Sequence, residues 1–314
     1  MGHTGMRRVT MLLLLVFVGA PLAALLAAGV ASSLLGAAVR IPVAAPPADL
    51  ALAPVRFTTR DGVEIAAWSA EAEAPKATVI IAPGFGSSRG DAAGGLYALM
   101  RDLLGRDYSV LALDLRNHGE SGDGPRLLAG GIDEAADIVA ALDWIKRRHP
   151  SRRIAVYGID LGAAAALVAV AGDPRIEAVV SADLFARAEP FLSGVLVRRA
   201  AWPALAADLG LWGLRHLRGE RREPTDMAVL AAHLPPMPWL IVQSAADPLV
   251  PLAEGQALAK AAPWAAFWVA PAPALDHPLL AGGGLHGRAH EFHREDWIEI
   301  VASFLDSTFA TMFG

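Results

Sequence analysis

The chain has no cysteine. Disulfides, thiolate metal sites and a cysteine nucleophile are excluded in one step. It also lacks a basic face: 27 Lys and Arg stand against 32 Asp and Glu, spread along the sequence for a net charge of −5, so no nucleic-acid partner is expected. Tyrosine is scarce, with only Tyr97, Tyr108 and Tyr157. No internal repeat or low-complexity segment interrupts the main body. What remains is a 314-residue chain that is 54% apolar, enough to bury one sizeable core.

Charge is missing altogether from Val9 to Val39, a run dense in Leu, Ala and Val. A bilayer-crossing helix needs about 20 such residues, whereas a cleaved signal peptide has an apolar region of about 7–15. Residues 1–40 are therefore expected to form an N-terminal transmembrane helix, a membrane anchor or uncleaved signal, in which Pro21 is tolerable. Arg7 and Arg8 precede the run and only Arg40 follows it. The excess of positive charge before the helix points to a single-pass protein with its main body on the non-cytoplasmic side. The stretch 41–54, "IPVAAPPADLALAP", reads as an extended linker.

From residue 55 to 314, short apolar runs alternate with helical stretches, the pattern of an α/β domain with a mostly parallel sheet and helices on both faces. "VRFTTRDGVEIAAWSAE" contains period-two stretches around Asp61-Gly62 and predicts an antiparallel edge hairpin. "ATVIIAP", "YSVLALD", "RIAVYG", "IEAVVSAD", "PWLIVQSA" and "AAFWVAP" predict buried parallel strands. About 185–234 the rhythm breaks for a helix-like insertion with Trp202, Trp212, many leucines and several arginines. Its position suggests a small helical lid, either packed on the core or facing lipid.

"AVYGIDLGAAAAL", residues 155–167, has the layout of a nucleophile elbow. A strand runs into a sharp turn flanked by Gly158 and Gly162, with Asp160 at its apex. Such a turn lifts one side chain above the carboxyl edge of a sheet and needs small neighbours. The Leu161 amide at the following helix N-terminus could hold a negative oxygen. "APGFGSS" after an earlier strand offers Phe85 and Gly86 as the other donors of an oxyanion hole.

Asp247 in "QSAADPLVP" follows a late strand and is placed to orient a histidine. Of the histidines in the tail, His286 is preferred, ahead of a terminal helix anchored by Asp296, Trp297 and Phe304, with His277 as the alternative. The order nucleophile, acid, histidine is that of a hydrolase triad. A metal reading rests on His286, His290, Glu291 and His293, but "HEFH" is one residue short of H-E-x-x-H. "GFGSSRG" misses the dinucleotide-binding pattern by one residue and reads as an oxyanion loop. No metal and no cofactor is expected.

From Val55 to Phe309 the chain resembles the α/β-hydrolase superfamily, in its bacterial lysophospholipase-like or serine-aminopeptidase-like branch. The closest motif is "YSVLALDLRNHGESGDG", similar to that family's D-x-R-G-H-G-x-S, with Asn117 in place of a glycine. "GGIDEAADIVAALDWI" resembles the helix that follows, and "LPPMPWLIVQSAADPLVP" the acid-bearing strand and loop. Two departures stand out: Pro83-Gly84 replaces the usual His-Gly, and Asp160 replaces serine.

The resemblance implies a hydrolase acting through Asp160, His286 and Asp247 on a small, apolar or lipid-like substrate. A carboxylate gains little from attacking an ester carbonyl. Its natural target is a tetrahedral carbon bearing a leaving group, and Asp160 resembles the nucleophile of haloalkane dehalogenases and epoxide hydrolases of this fold. Leu161 stands where dehalogenases carry a tryptophan, and no tyrosine lies in the insertion, so Arg215, His216 or Arg218 would have to assist the leaving group. The alternative is a catalytically impaired protein with a binding or scaffold role.

Overall fold

The computed structural model describes residues 3–36, 40–124, 130–199, 201–217, 225–274, 276–277 and 285–310. They divide into two compact units, Met1–Ala37 with Glu189–Glu223, and Ala38–Ala188 with Pro224–Gly314. The first begins with α1 (His3–Leu14), a π-helical turn Leu15–Gly19, and α2 (Ala20–Gly36). Within it, Met6–Ala31 forms 26 residues of mean hydropathy 2.6, long and apolar enough to cross a membrane. A signal sequence passes the same test of length and composition.

The second unit is built on β1 (Ala53–Thr58), β2 (Glu64–Ala70), β3 (Ala77–Ala82), α3 (Leu96–Leu104), β4 (Tyr108–Leu113), α4 (Ala135–Arg148), β5 (Ile154–Ile159), α5 (Leu161–Gly172) and β6 (Ala178–Ala182). The chain then contributes α6 (Ala188–Arg199) and α7 (Ala204–Leu217) to the first unit. It returns with α8 (Met227–His233), β7 (Trp239–Ser244), α9 (Leu252–Ala261) and β8 (Ala266–Ala270). It ends in α10 (Ala289–Phe292), α11 (Arg294–Trp297), a π-helical turn Ile298–Ala302 and α12 (Ser303–Phe309). The insertion expected at 185–234 is thus helical in its described part. Its residues 200 and 218–224 lie outside the described residues.

The eight strands form one sheet in the order β1-β2-β4-β3-β5-β6-β7-β8. β2 is antiparallel to β1 and β4, and the remaining pairs are parallel. β3 through β7 are buried at every position. That is why their sequences read as unbroken apolar runs, since helices cover both faces of such a sheet. β8, expected to be buried, is only partly so, because it pairs with β7 alone and buries Ala270. The Asp61-Gly62 turn joins β1 to β2, with Gly62 at φ 89.

The stretch 41–54 is not a free spacer. Leu50 joins the buried cluster that contains Tyr97 and Trp68. Tyr97 donates to the Ala44 carbonyl at 2.7 Å, and Arg101 pairs with Asp49. Apolar side chains spaced through the proline-rich segment dock it along α3. The first strand starts two residues earlier than the sequence suggests: β1 opens at Ala53 rather than Val55.

Strand order reverses direction at β3, with β4 on one side and β5 on the other. In open α/β sheets the crevice at such a switch point, beyond the strands' carboxyl ends, is the natural place for a ligand. The loops after β3 and β5 meet there.

Candidate active site

Asp160 sits between β5 and α5 at φ 37, ψ −100, a conformation that costs an L-residue about 1–3 kcal/mol. Packing holds it there. A Cβ on Gly158 would strike Ala163 and Gly162, and one on Gly162 would strike the carbonyls of Ala82 and Pro83. The two flanking glycines let α5 start directly against β5 and the end of β3. Gly84 serves the same purpose across the site, because a Cβ there would overlap the Asp160 carboxylate.

The Asp160 side chain is 3% exposed, and each of its oxygens has a distinct set of partners. Oδ1 accepts from the Phe85 amide at 2.7 Å and from the Leu161 amide. Oδ2 is bridged to His286 Nε2 at 2.8 Å. On its other side His286 Nδ1 meets Asp247 Oδ2 at 2.7 Å. Asp247 is fixed in turn, its Oδ1 accepting from the amides of Leu249 and Val250 at 2.7 and 3.0 Å. Gly86, the third expected donor, lies in the same bend at φ 67, which a turn from Ser87 N to Gly84 O closes.

The structure therefore brings Asp160, His286 and Asp247 into one hydrogen-bonded line, with the Phe85 and Leu161 amides on the apex carboxylate. The His277 ring lies instead against Phe292, 4.9 Å between centroids. Of the other tail residues, His290 Nε2 meets Asp102, His293 Nε2 meets the Pro271 carbonyl, and Glu291 pairs with Arg288. They point to three different partners and share no ligand position. Trp297 anchors the terminal segment, fully buried with its Nε1 donating to Tyr157 Oη at 3.2 Å, and Phe304 packs on the same core. Asp296 is exposed and takes no part in that anchoring. Among the suggested leaving-group donors, His216 stacks on Trp212. Arg218 and the side chain of Arg215 lie outside the described residues.

Asp183 has no role in the sequence reading, yet it belongs to the site. It follows β6 at φ 47 and is fully buried. Its Oδ1 accepts from the Ser244 amide and its Oδ2 from the Gly287 amide, both at 2.7 Å. It thereby ties the end of β7 to the turn that carries His286. Burial, and then the nearby Asp247 charge, push its carboxyl up to about 7, while His286 draws it back. Asp183, Asp247 and His286 also present ligand-type atoms within 4.8 Å of one another, but these atoms are already engaged in hydrogen bonds. The available signal was an acid at the carboxyl end of the strand next to the elbow strand.

Burial alone would depress His286, but its hydrogen bonds to Asp160 and Asp247 outweigh burial and hold its pKa well above 6.5. The folded chain thus binds this proton more tightly than the unfolded chain. The resulting stability is fully present below about pH 6.5 and is lost as pH rises through the folded value. Replacing Asp160 with Asn removes one of the two carboxylates. His286 should then titrate at lower pH in an imidazole NMR titration, and the melting-temperature gap between wild type and Asp160→Asn should narrow as pH rises. An unshifted His286 titration would refute this pairing.

The loop after β3 is held from below. Arg89 donates its amide to Asp114 Oδ1 at 2.7 Å and pairs with the same carboxylate through its guanidinium, and Asp114 follows β4. Asn117, which replaces a glycine of the resembled motif, stands at φ 64, a left-handed conformation asparagine tolerates better than most residues. Its Oδ1 accepts from Gly124 N at 3.0 Å. The departure from the motif keeps the turn.

An alpha/beta hydrolase fold model matches residues 77–208, from β3 through the elbow and into α7. An uncharacterised protein of Pseudomonas aeruginosa is 33% identical over 140 residues, 42% of this chain and 36% of that protein. A thiohydrolase of Arthrinium phaeospermum is 29% identical over 130 residues, 40% of this chain and 41% of the relative. The chain thus spans less than half the length of either curated relative. An esterase of Pyrococcus furiosus has a similar structure, with TM-score 0.68 and 25% identity, covering 85% of this chain and 96% of the esterase. The matching family model, the matching solved structure and this sheet order show that the chain has the alpha/beta hydrolase fold.

Proposed function

We propose that this protein is a membrane-anchored hydrolase that opens a small apolar or lipid-like substrate at a tetrahedral carbon, with Asp160 as nucleophile, His286 as base and Asp247 as its orienting acid. One observation carries the reading. Asp160 Oδ1 already occupies the two amides that an ester's developing oxyanion would need. An acyl mechanism is therefore blocked at its first step, whereas displacement at carbon needs no oxyanion hole until its second.

In the first step an Asp160 oxygen, Oδ2 by its position, bonds to the substrate carbon, and the leaving group departs with the electron pair of the broken bond. The aspartyl ester is uncharged, so His286 loses one of the two carboxylates that retain its proton and releases it to solvent. Neutral His286 then takes a proton from a water that attacks Asp160 Cγ. Negative charge grows on Oδ1, where the Phe85 and Leu161 amides stand ready. Collapse expels the alkoxide, which gains a proton, and restores the carboxylate beside a protonated His286. The sum is substrate plus water giving an alcohol and the protonated leaving group.

A single turnover in heavy-oxygen water tests this. The expected result is label in the peptide containing Asp160 and none in the first alcohol formed. Label in the product with an unlabelled Asp160 peptide would overturn the route. The second reading, a binding protein on a hydrolase fold, is favoured by Leu161, whose side chain offers no hydrogen-bond donor to a leaving group. It requires that halide, epoxide and ester panels give neither turnover nor label.

The lipid-like substrate and the anchoring rest on the 26-residue apolar helix Met6–Ala31 and on the lysophospholipase-like character of the motifs. Arg7 and Arg8 ahead of that helix favour a hydrolase unit on the non-cytoplasmic side.

A further inference from the structure

Helices α2 and α7 are built the opposite way from a helix pair in water. In water, large apolar side chains fill the seam between two helices and polar ones face out. In lipid, small residues line the seam and large apolar residues face out, since acyl chains are as apolar as leucine. Here α2 buries Ala24, Ala28 and Ala31 and exposes Leu22, Leu25, Leu26 and Val30.

α7 repeats the arrangement. Its Gly210 and Gly213 are the points of closest approach to α2. A Cβ built on Gly213 would lie 2.8 Å from Ala28 Cβ and 2.7 Å from the Ala24 carbonyl, and one on Gly210 would lie 3.2 Å from Ala31 Cβ. On the other side Leu205, Leu209 and Trp212 are 72%, 45% and 48% exposed. Their spacing of four and three residues puts them on one stripe.

We infer that α7 is a lipid-embedded helix: it docks on the membrane-spanning helix through the glycine seam and presents Leu205, Leu209 and Trp212 to the acyl chains of one leaflet. At 14 residues it is about 21 Å long. That is too short to cross a hydrocarbon core of about 30 Å, so it lies within one side of the bilayer. Asp208, on the flank of the stripe, accepts from Ser193 Oγ at 2.7 Å, which engages one of its carboxylate oxygens. The stripe belongs to a helix packed directly on α2, whose own exposed side chains are large and apolar, which is why lipid, rather than a second protein, is its occupant. The inference rests on the anchoring reading above, and it makes the N-terminal helix a permanent structural partner of the insertion.

The absence of native cysteine makes a direct test clean. The full chain is reconstituted in phosphatidylcholine nanodiscs with a single polarity-sensitive fluorophore at Leu209→Cys, or at Glu73→Cys on the exposed turn after β2. The expected result is a blue-shifted, several-fold brighter probe at 209 that doxyl-labelled phosphatidylcholine quenches, and a water-like, unquenched probe at 73. In parallel, an Ala31→Cys/Gly210→Cys pair should cross-link on mild oxidation, its Cβ separation being close to the usual disulfide range.

If the chain enters nanodiscs but the 209 probe stays water-like, the inference falls while the anchor stands. If the chain is not retained in nanodiscs at all, both fall. A shifted probe that doxyl lipid does not quench would put a second copy on the stripe and overturn the assignment. So would failure of the 31/210 pair to cross-link in an inserted chain.

Discussion

Asp160→Ser should convert the site into an esterase. Serine removes the carboxylate oxygen that now fills the amides of Phe85 and Leu161. Those amides become free for the oxyanion of an acyl intermediate, and the hydroxyl lies toward His286. His286 would then face Asp247 alone, so its raised pKa relaxes and more of it is neutral and able to act as base at neutral pH. Wild type is expected to leave short-chain p-nitrophenyl esters and fluorophosphonate probes untouched, and the serine variant to turn over the first and be labelled by the second. Asp160→Ala, on a substrate that wild type does turn over, should lose about 10³-fold or more in turnover, in line with loss of a catalytic nucleophile. The alanine still has to occupy φ 37, so a circular dichroism melt must show that it folds. Full activity in a folded Asp160→Ala variant would remove Asp160 from the mechanism. A serine variant without esterase activity would show that the other groups are not set for acyl transfer.

Much of this site was legible before the fold, because its order along the chain is set by topology. In a parallel sheet each strand's carboxyl end delivers its next residue to the same edge, so the residues after β5 and β7 had to share a rim. The glycines at 158 and 162 announced the sharp turn, and the lone glycine-flanked bend after β3 announced the amides. The partners of the Asp160 carboxylate were not legible. That Oδ1 would turn into the amides rather than toward substrate depends on the space left by Gly84 and on the position of Phe85, both set by tertiary packing. Asp183 was invisible for a similar reason: an acid ending a strand is ordinary until the Ser244 and Gly287 amides converge on it. The stretch 41–54 reads as a spacer from composition, and only the apolar face of α3 turns it into a packed strap. β8 reads as buried from its residues, but burial at an edge is decided by how many strands lie beyond it.

Arg116→Ala should cost about 3–5 kcal/mol of stability, the usual penalty for breaking a buried ion pair from one side. Arg116 is 1% exposed and pairs with Asp137 on α4 and Asp61 in the β1–β2 turn. Its amide and its Nε both donate to Asp137, at 2.8 and 2.9 Å. One side chain thus pins the loop after β4 to a helix and to the edge hairpin, which gives the resembled D-x-R segment a structural purpose distinct from chemistry. Burial already pushes Asp137 up to about 6, while Arg116 works to hold it down, and the Arg116 hydrogen bond lowers Asp61 to about 2. Without the guanidinium, Asp137 can ionise only at higher pH, so the charged form becomes more expensive to bury. The sign follows: the variant's deficit is smaller at acid pH, where Asp137 is protonated in both proteins, and widens as pH rises through the wild-type value near 6. Denaturant midpoints across that range should show the widening. A pH-independent deficit would mean that lost packing, not the stranded carboxylate, sets the cost. Arg116→Met/Asp137→Leu separates the two directly, because it keeps apolar volume and removes the buried charge with its partner. That double variant should recover a large part of the loss, whereas Arg116→Met alone should recover little.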